Sequence, residues 1–227
     1  MRVERMGEAV PYGPMLALQE SRHHEVRLDR SRETLFLLQH TSVVTLGKNA
    51  SNDNLRLSPE QFHNRGIALV ETGRGGDVTW HGPGQIVGYP ILQFVEAERD
   101  IRKYVWNLEE VMIRTAFDFE VEARRVEGLR GIWVGDEKLA AIGVRIARWT
   151  TLHGFAINVC PELSNFDAIV PCGIADKGVT SLEKILGTNT PSIPEVEQRL
   201  CVHLSDVLGR VLIEANPSRL PEVSTDD

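Results

Sequence analysis

The sequence predicts an α+β protein with a central mixed or antiparallel β-sheet flanked by helices. Short runs rich in β-branched and apolar residues recur in both halves of the chain, and helical patterns interrupt them without a regular βαβ alternation. The chain of 227 residues is 42% hydrophobic and 25% charged, a composition typical of a globular domain that buries its own core. We therefore expect a single domain over residues 1–227, with a tail that is frayed from about residue 215.

The first half of the chain alternates helical and extended patterns. Residues 14–28 have the pattern of a helix. The runs TLFLLQH (34–40), SVVTLG (42–47) and GIALVET (66–72) are short, apolar and rich in β-branched residues, so they predict strands. The segment GRGGDVTWHGPGQ (73–85) is so rich in glycine that we expect an ordered loop without regular structure.

The clearest helical pattern of the chain follows a predicted strand, IVGYPILQF (86–94). Over residues 100–119 apolar side chains recur at helical spacing: Ile101, Val105, Leu108, Met112, Ala116 and Phe119. Then GIWVG (131–135) and KLAAIGVRI (138–146) flank a Gly-Asp-Glu hairpin signature, and TLHGFAINV (151–159) predicts a further strand.

Two capping-box patterns predict the last helices. Thr180 with Glu183 opens a short helix that Gly187 can close. Ser192 with Glu195 opens a longer helix with an apolar face formed by Val196, Leu200, Leu204, Leu208 and Val211.

The charge and the cysteine content argue against several classes of protein. The chain has 25 basic and 32 acidic residues, and its formal net charge of −7 is opposite in sign to that of a non-specific nucleic-acid binder. No apolar run approaches the roughly 20 residues that span a bilayer, and the first 14 residues lack the apolar region of a secretory signal. We therefore expect a cytoplasmic protein without a nucleic-acid or membrane partner. Three cysteines without a CxxC pair indicate neither a disulfide framework nor a structural zinc site.

The glycine-rich loop from Arg74 to Gln85 is a candidate binding element. Glycines leave backbone N–H groups accessible to a ligand, and an arginine can offer two parallel donors. The loop is not a phosphate-binding P-loop, because no Gly-Lys-Ser/Thr follows. On spacing alone, a purely structural turn between tightly packed strands explains it equally well.

Cys172 is the candidate nucleophile. It lies between Pro171, which fixes a backbone dihedral, and Gly173, which removes steric cover, so its thiol can be held exposed on a rigid turn. A lone cysteine is more often a small buried residue, and we expect that role for Cys160 and Cys201. A thiol with an ordinary pKa near 8.5 needs a neighbouring base or cation to react at neutral pH. The candidates for that neighbour are Lys138, His81, His153, Lys177 and Asp176.

Three segments together resemble the octanoyltransferase family, the lipoyl(octanoyl) transferases, whose relatives are the lipoate–protein and biotin–protein ligases. They are RGGDVTWHGPGQIVGYPIL (74–92), EKLAAIGVRIARWTTLHGFAINV (137–159) and FDAIVPCGIADKGVTSL (166–182). They occur in the family's order, and the resemblance covers roughly residues 30–187. It implies the fold of the biotin/lipoate ligase catalytic domain, a central mixed sheet flanked by helices.

The resemblance also implies an activity. A member of this family transfers an octanoyl group from octanoyl-acyl carrier protein to a lysine of a lipoyl domain, through a cysteine thioester, as the first step of protein lipoylation. By this likeness Cys172 is the nucleophile, and Lys138 lowers the pKa of the thiol and shuttles a proton. The expected acceptors are the lipoyl domains of 2-oxoacid dehydrogenase complexes and the glycine cleavage H protein. No cofactor and no metal is implied.

The family's substrate-binding segments match fourteen residues of this chain by position. They are Arg74, Gly75, Gly76, Asp77, Val78, Thr79, Trp80, His81, Ala141, Ile142, Gly143, Gly154, Phe155 and Ala156. Asp77, Trp80 and Ala141 depart from the family's frequent glutamine, tyrosine and serine. The expected apolar walls of an octanoyl slot are Val78, Trp80, Ile142 and Phe155, residues that are equally typical of an ordinary core.

An acidic chain needs a local basic surface to meet acidic carrier proteins. The densest cluster of arginines comprises Arg124, Arg125, Arg130, Arg145 and Arg148. We expect these arginines to help dock the carriers, although solvated arginines at strand edges give the same pattern.

Three other functions are compatible with the residues. An ATP-dependent ligase of the same fold would not need Cys172, and a cysteine hydrolase would release free octanoate. A non-catalytic acyl- or carrier-binding module would bind its carrier without forming a covalent adduct.

Overall fold

A computed structural model describes residues 1–170 and 177–222 of the chain. Its strands are β1 (Arg2–Val10), β2 (Thr34–His40), β3 (Val43–Leu46), β4 (Ala68–Glu71), β5 (Val78–His81), β6 (Gln85–Ile91), β7 (Arg124–Val126), β8 (Leu129–Val134), β9 (Glu137–Ala147), β10 (Thr150–Asn158), β11 (Gly178–Val179) and β12 (Ile213–Ala215). Its α-helices are α1 (Tyr12–Leu28), α2 (Pro59–Asn64), α3 (Ile101–Phe117), α4 (Leu182–Leu186) and α5 (Ile193–Leu208).

The main sheet is mixed, as predicted. Its strand order is β12-β1-β2-β6-β10-β9-β8-β7, and β11 pairs with β9 outside this path. Each successive pair along the path β2-β6-β10-β9-β8-β7 is antiparallel. The pairs β1–β2, β1–β12 and β9–β11 are parallel. A second, three-stranded sheet has the order β4-β3-β5 and carries the glycine-rich segment.

Helices cover both faces of the main sheet. On β2, Leu35 and Leu37 pack in the cluster that contains the apolar residues of α3 and α5, whereas Phe36 and Leu38 pack in the cluster of α1. Because successive side chains of a strand point to opposite faces, a strand between two layers of helix must be apolar at every position. This explains why TLFLLQH shows no alternation of polar and apolar residues.

Most predicted elements are confirmed, and the largest correction concerns the glycine-rich segment. The prediction that residues 73–85 lack regular structure is wrong for Val78–His81, which form β5 and pair with β3. Glycines flank these four residues on both sides, so the composition of the whole segment predicted a loop although the four residues themselves favour a strand.

Three smaller corrections concern the termini and a helix cap. The short helix α4 begins one residue later than predicted, because Ser181 Oγ, not Thr180, accepts from the N–H of Lys184 at 3.1 Å. Strand β1 was not predicted at all. The tail is held as far as Ser218, whose N–H donates to Glu4 at 2.9 Å. No helix in the described residues is both long enough and apolar enough to cross a membrane.

Candidate active site

A cavity of about 470 Å³ opens between the main sheet and the glycine-rich segment. One wall is the loop 74–77 with β5, and the opposite wall consists of β9 and β10. Lys138 and all of the predicted substrate-binding residues except Trp80 line this cavity. The glycine-rich segment and the β9–β10 hairpin, which are distant in sequence, therefore meet around one space.

Trp80 lies behind the cavity and not in its wall. Its side chain is fully buried, its ring meets Phe166 edge-on at 5.2 Å between centroids, and its indole N–H donates to Ser42 Oγ at 2.8 Å. Thr79 and His81 line the cavity from one face of β5, whereas Trp80, on the other face, packs in an apolar cluster with Val78 and Phe166. The geometry therefore gives no support to Trp80 as a wall of an acyl slot.

Arg74 fixes the glycine-rich loop against its neighbours. Its guanidinium donates to the Thr45 carbonyl at 2.6 Å and to Thr45 Oγ1 at 2.9 and 3.1 Å. The next residue, Gly75, donates its N–H to the Val144 carbonyl at 2.9 Å, which joins the loop to β9. Gly143 allows this close approach, because a Cβ at that position would lie 3.0 Å from Arg74 Cδ. The loop is thus hydrogen-bonded to both sheets, to β3 through Thr45 and to β9 through Val144.

Lys138 lies in the cavity wall on β9 with only 7% of its surface exposed. Its ammonium nitrogen is 4.9 Å from the centroid of the Trp133 ring, a cation–π geometry that holds the cation. In the adjacent parallel strand β11, Val179 is its register partner, and the N–H of Thr180 donates to the Lys138 carbonyl at 3.0 Å. The chain that follows residue 176 is therefore fixed beside Lys138.

The chain that precedes residue 171 is also anchored at the cavity. Val170 donates its N–H to the Asn54 carbonyl at 2.8 Å. The side-chain amide of Asn54 in turn donates to Asp77 Oδ2 at 2.6 Å, and Asp77 lines the cavity. Cys172 and Asp176 themselves lie outside the described residues.

A chain of buried polar side chains runs behind His81. Its Nδ1 lies 2.7 Å from Gln85 Oε1, Gln85 Nε2 donates to Asn158 Oδ1 at 2.9 Å, and Asn158 Nδ2 donates to the Thr180 carbonyl at 2.9 Å. Each of these four residues is buried. Burial lowers the pKa of His81 to about 3, so its imidazole is neutral at physiological pH.

Three aromatic residues in this region were not predicted: Tyr12 and Tyr89 line the cavity, and the ring of His40 contacts both of them. His40 Nδ1 lies 2.8 Å from the Val10 carbonyl, which can only accept, so Nδ1 carries the proton. The Tyr89 hydroxyl, 2.7 Å from His40 Nε2, must then donate. Tyr12 lines the cavity beside them, and burial raises its pKa to about 12. For His40 and Tyr89 the sequence signal was a polar ring in an otherwise apolar strand, whereas Tyr12, at the start of α1, had no such signal.

His153 combines a strained backbone with an unusual side-chain environment. Its φ of +58° lies in the left-handed region, which few non-glycine residues adopt, within the strand β10. Its N–H donates to Gln19 Oε1 at 3.0 Å, and its ring lines the cavity. Among the described residues its buried Nδ1 has no hydrogen-bond partner. Burial lowers its pKa to about 4.

The predicted arginine cluster divides into two parts. Arg125 pairs with Glu109 and Glu110 and stacks 4.1 Å from the centroid of the Trp106 ring, so its charge is already neutralised. Arg130 is exposed and lines the cavity. Arg145 and Arg148 are exposed, and Arg124 is exposed and donates to the Gly135 carbonyl at 3.1 Å.

The remaining predicted groups lie apart from the cavity wall. Lys177, a candidate neighbour of the thiol, pairs with Asp136 at 2.6 Å. Cys201 packs against the core through α5, and burial raises its pKa to about 11, as expected for a packing residue. The same expectation is wrong for Cys160, which is exposed.

Comparison with known proteins identifies the family. Residues 11–205 match the lipoyl protein ligase A/B catalytic domain. The chain is 49% identical over 205 residues to an octanoyltransferase of Caldicellulosiruptor saccharolyticus, covering 89% of this chain and 86% of that protein.

Two solved structures share the fold. A crystal structure of lipoate-protein ligase A bound with ATP superposes with a TM-score of 0.74 at 17% identity, covering 96% of this chain and 89% of that one. A bipartite lipoate protein ligase studied with its E2 lipoyl domain, from Thermoplasma acidophilum, gives a TM-score of 0.71 at 16% identity, covering 96% and 87%. With the cavity and its motif residues, these matches lead to one conclusion: the chain belongs to the lipoyl protein ligase A/B catalytic domain family and, within it, to the octanoyltransferases.

Proposed function

We propose that this single-domain protein is an acyltransferase that moves an octanoyl group from octanoyl-acyl carrier protein to a lysine of a lipoyl domain, with Cys172 as the nucleophile. The observation that carries the proposal is the position of Lys138. It lies in the wall of the cavity, beside the chain that leaves the Cys172 segment, and the predicted substrate-binding residues other than Trp80 line the same cavity.

In the first half-reaction the Cys172 thiolate attacks the carbonyl carbon of the octanoyl thioester. The new C–S bond forms, the bond to the carrier's sulfur breaks, and the carrier leaves as a thiol with a proton that the Lys138 ammonium gives up, which leaves Lys138 a neutral amine for the second half-reaction. A neighbouring ammonium favours the thiolate, and this is the role we assign to Lys138. One thioester replaces another, so the step is nearly neutral in free energy.

In the second half-reaction the amine of the acceptor lysine attacks the acyl-cysteine. An amide forms, the thiolate of Cys172 leaves, and Lys138 or a water molecule accepts the proton that the amine loses. Amide formation from a thioester is downhill, so the reaction needs no ATP. The developing oxyanion requires N–H donors, and backbone groups near Gly143 are candidates in this proposal.

The octanoyl chain fits the apolar part of the cavity. Val78, Ile142 and Phe155 line it, and each buried methylene contributes about 0.8 kcal/mol. A slot of fixed depth therefore discriminates between chain lengths. We further propose that the acceptors are the lipoyl domains of 2-oxoacid dehydrogenase complexes and the glycine cleavage H protein. We place the reaction in the cytoplasm, where free thiols such as Cys201 persist.

An ATP-dependent ligase is the second candidate, since the chain shares its fold with a lipoate-protein ligase bound with ATP. The test is transfer of octanoate to a purified lipoyl domain, with octanoyl-acyl carrier protein and no ATP or with free octanoate and ATP. We expect activity only with the carrier, and loss of it in Cys172→Ala and Lys138→Met. Activity that requires ATP and survives Cys172→Ala would select the ligase. Release of free octanoate with the lipoyl domain in excess would select a hydrolase, and carrier binding without turnover would select a binding module.

A further inference from the structure

The ring nitrogen that His81 presents to the cavity is a hydrogen-bond acceptor. The hydrogen bonds on the other side of the ring, which run through Gln85 and Asn158 to Thr180, determine its protonation. The Thr180 carbonyl can only accept, so Asn158 turns its Nδ2 to Thr180 and its Oδ1 to Gln85. Gln85 then donates through Nε2 and accepts through Oε1, so His81 must carry its proton on Nδ1. Its Nε2 is left as an unprotonated nitrogen.

This nitrogen is on the cavity side of the ring. His81 lines the cavity, and its Nδ1 edge is directed at Gln85 behind the wall. Within residues 1–170 and 177–222 no protein group is hydrogen-bonded to Nε2, and this atom is not among the buried polar atoms that lack a partner. It is therefore available to a molecule in the cavity.

An unprotonated imidazole nitrogen is a hydrogen-bond acceptor, so its hydrogen-bond partner must be a donor. The acyl group offers a carbonyl oxygen and an apolar chain, which are not donors. Among the groups that form or break bonds, the N–H donor is the amine of the acceptor lysine. The amide N–H groups of the carrier's arm are donors as well, but they are present only in the first half-reaction, so a comparison of the two half-reactions separates the two partners. A neutral amine has one lone pair and two N–H groups, so it can attack a carbonyl carbon while it donates one N–H to a fixed acceptor.

We propose that His81 Nε2 accepts a hydrogen bond from the amine of the acceptor lysine and so holds its nitrogen in the cavity with the lone pair free to attack, and that Gln85 and Asn158 are positioning residues that hold His81 in this tautomer. This role rests on the proposed function. The amine nitrogen forms the amide bond, the C–S bond to Cys172 breaks, and the lost proton passes to Lys138 or water. His81 neither gains nor loses a proton.

The surroundings of His81 keep it neutral. It faces His40 from β2, Tyr12 from α1, His153 from β10 and Arg74 from the loop before β5. Arg74 and the two histidines oppose a positive charge there, and burial lowers the pKa of His81 to about 3. His81 therefore stays an acceptor throughout the pH range in which the enzyme can be assayed.

The first test separates the two half-reactions. Acyl-enzyme formation from octanoyl-acyl carrier protein and its discharge to a lipoyl domain are followed by rapid quench and intact-protein mass for wild type, His81→Leu and His81→Gln. We expect His81→Leu to slow discharge on the order of 10²-fold, and at least about 10-fold more than it slows acylation, with partial recovery in His81→Gln, which keeps an acceptor oxygen. Acylation that slows as much as discharge, or unchanged discharge, would overturn the proposal. A wild type that forms no acyl-enzyme would contradict the proposed function itself.

The second test uses the pH dependence of discharge. Gln85→Glu places a carboxylate against the Nδ1–H of His81, which favours the imidazolium and raises the pKa of His81. Discharge should then be lost below this raised pKa and recovered above it, while wild type and the exposed control Gln198→Glu lack this transition. Circular dichroism and thermal melting confirm that each variant is folded. A folded Gln85→Glu with the wild-type pH profile would contradict the assignment.

Discussion

The side-chain amide of Asn158 donates a hydrogen bond of 2.9 Å to the backbone carbonyl of Thr180. Both residues are almost fully buried, and the bond joins the end of β10 to the chain that follows the Cys172 segment. A buried carbonyl that loses its donor carries the full cost of its desolvation. The pair therefore stabilises the fold at the place where the two predicted catalytic residues must meet.

We predict that Asn158→Ala lowers the free energy of unfolding by about 2 to 4 kcal/mol, because it removes the side-chain donor of the Thr180 carbonyl and the nearer of two acceptors of Gln85 Nε2, which keeps only the Trp80 carbonyl at 3.4 Å. Urea denaturation measures this change. Asn64, which is exposed on α2, is the matched control, and Asn64→Ala should cost less than about 0.5 kcal/mol. Equal costs for the two variants would show that the buried amide chain does not stabilise the protein.

We predict that acid destabilises this protein before its carboxylates titrate. The pKa values of His40, His81 and His153 are lowered from an ordinary 6.5 to about 4, 3 and 4, chiefly by burial. Between these values and pH 6.5 the unfolded chain binds protons that the folded chain does not, so stability is full above pH 6.5 and falls as the pH falls. At pH 5 each histidine contributes on the order of 2 kcal/mol to this loss.

Urea denaturation at pH 7.5 and pH 5 measures the effect. His40→Gln removes one of these titrating groups, and its loss of stability between the two pH values should be smaller than that of wild type. The same substitution at exposed His63 should leave the loss unchanged. Equal losses of stability between pH 7.5 and pH 5 in His40→Gln and wild type would contradict the lowered pKa assigned to His40.

The backbone of His153 supports a prediction with two opposite substitutions. A residue at φ +58° is strained by roughly 1 kcal/mol, least for glycine and asparagine and most for β-branched residues. His153→Asn should therefore keep a stability within about 1 kcal/mol of wild type, whereas His153→Val should lose at least about 2 kcal/mol. Thermal melting compares the stability of the two variants. A valine variant more stable than the asparagine variant would contradict the claim that the backbone at residue 153 is strained.

The arginines near the cavity provide a prediction about carrier docking. Arg145→Glu with Arg148→Glu should raise the KM for octanoyl-acyl carrier protein about 10-fold at low salt while kcat changes little, because exposed charges act mainly on encounter. The difference should shrink as ionic strength rises. Charge reversal at Arg65, an exposed residue at the end of α2, is the control. An unchanged KM would show that these arginines do not take part in carrier docking.

Local apolar patterns in the sequence were sufficient where apolar side chains alone account for the burial of a helix or strand. The apolar spacing over 100–119 predicted α3, and the apolar run 34–40 predicted β2 with the bounds that the structure has. Strand β1 was missed because its buried Glu4 pairs with Arg22 of α1, a partner that only the fold brings within 3.0 Å. The residues next to a charged side chain in the sequence do not indicate that it lies in a buried strand.

The candidate site was predictable only in part, for a similar reason. Motif positions placed His81 and Gly143 at the cavity, because the motifs belong to segments that the fold preserves. Trp80 was misplaced because one position along a strand decides which face a side chain occupies. Tyr12 and Tyr89 come from different elements, α1 and β6, and became part of the site only through tertiary packing.

The central claim is that octanoyl transfer passes through Cys172, and intact-protein mass tests it most directly. Wild type and Cys172→Ala are incubated with octanoyl-acyl carrier protein and then with a lipoyl domain, without ATP. We expect wild type to gain the mass of one octanoyl group and to lose it as the lipoyl domain gains it, while Cys172→Ala gains nothing. A wild type that stays unmodified by an active carrier, or an adduct that persists in Cys172→Ala, would contradict the claim.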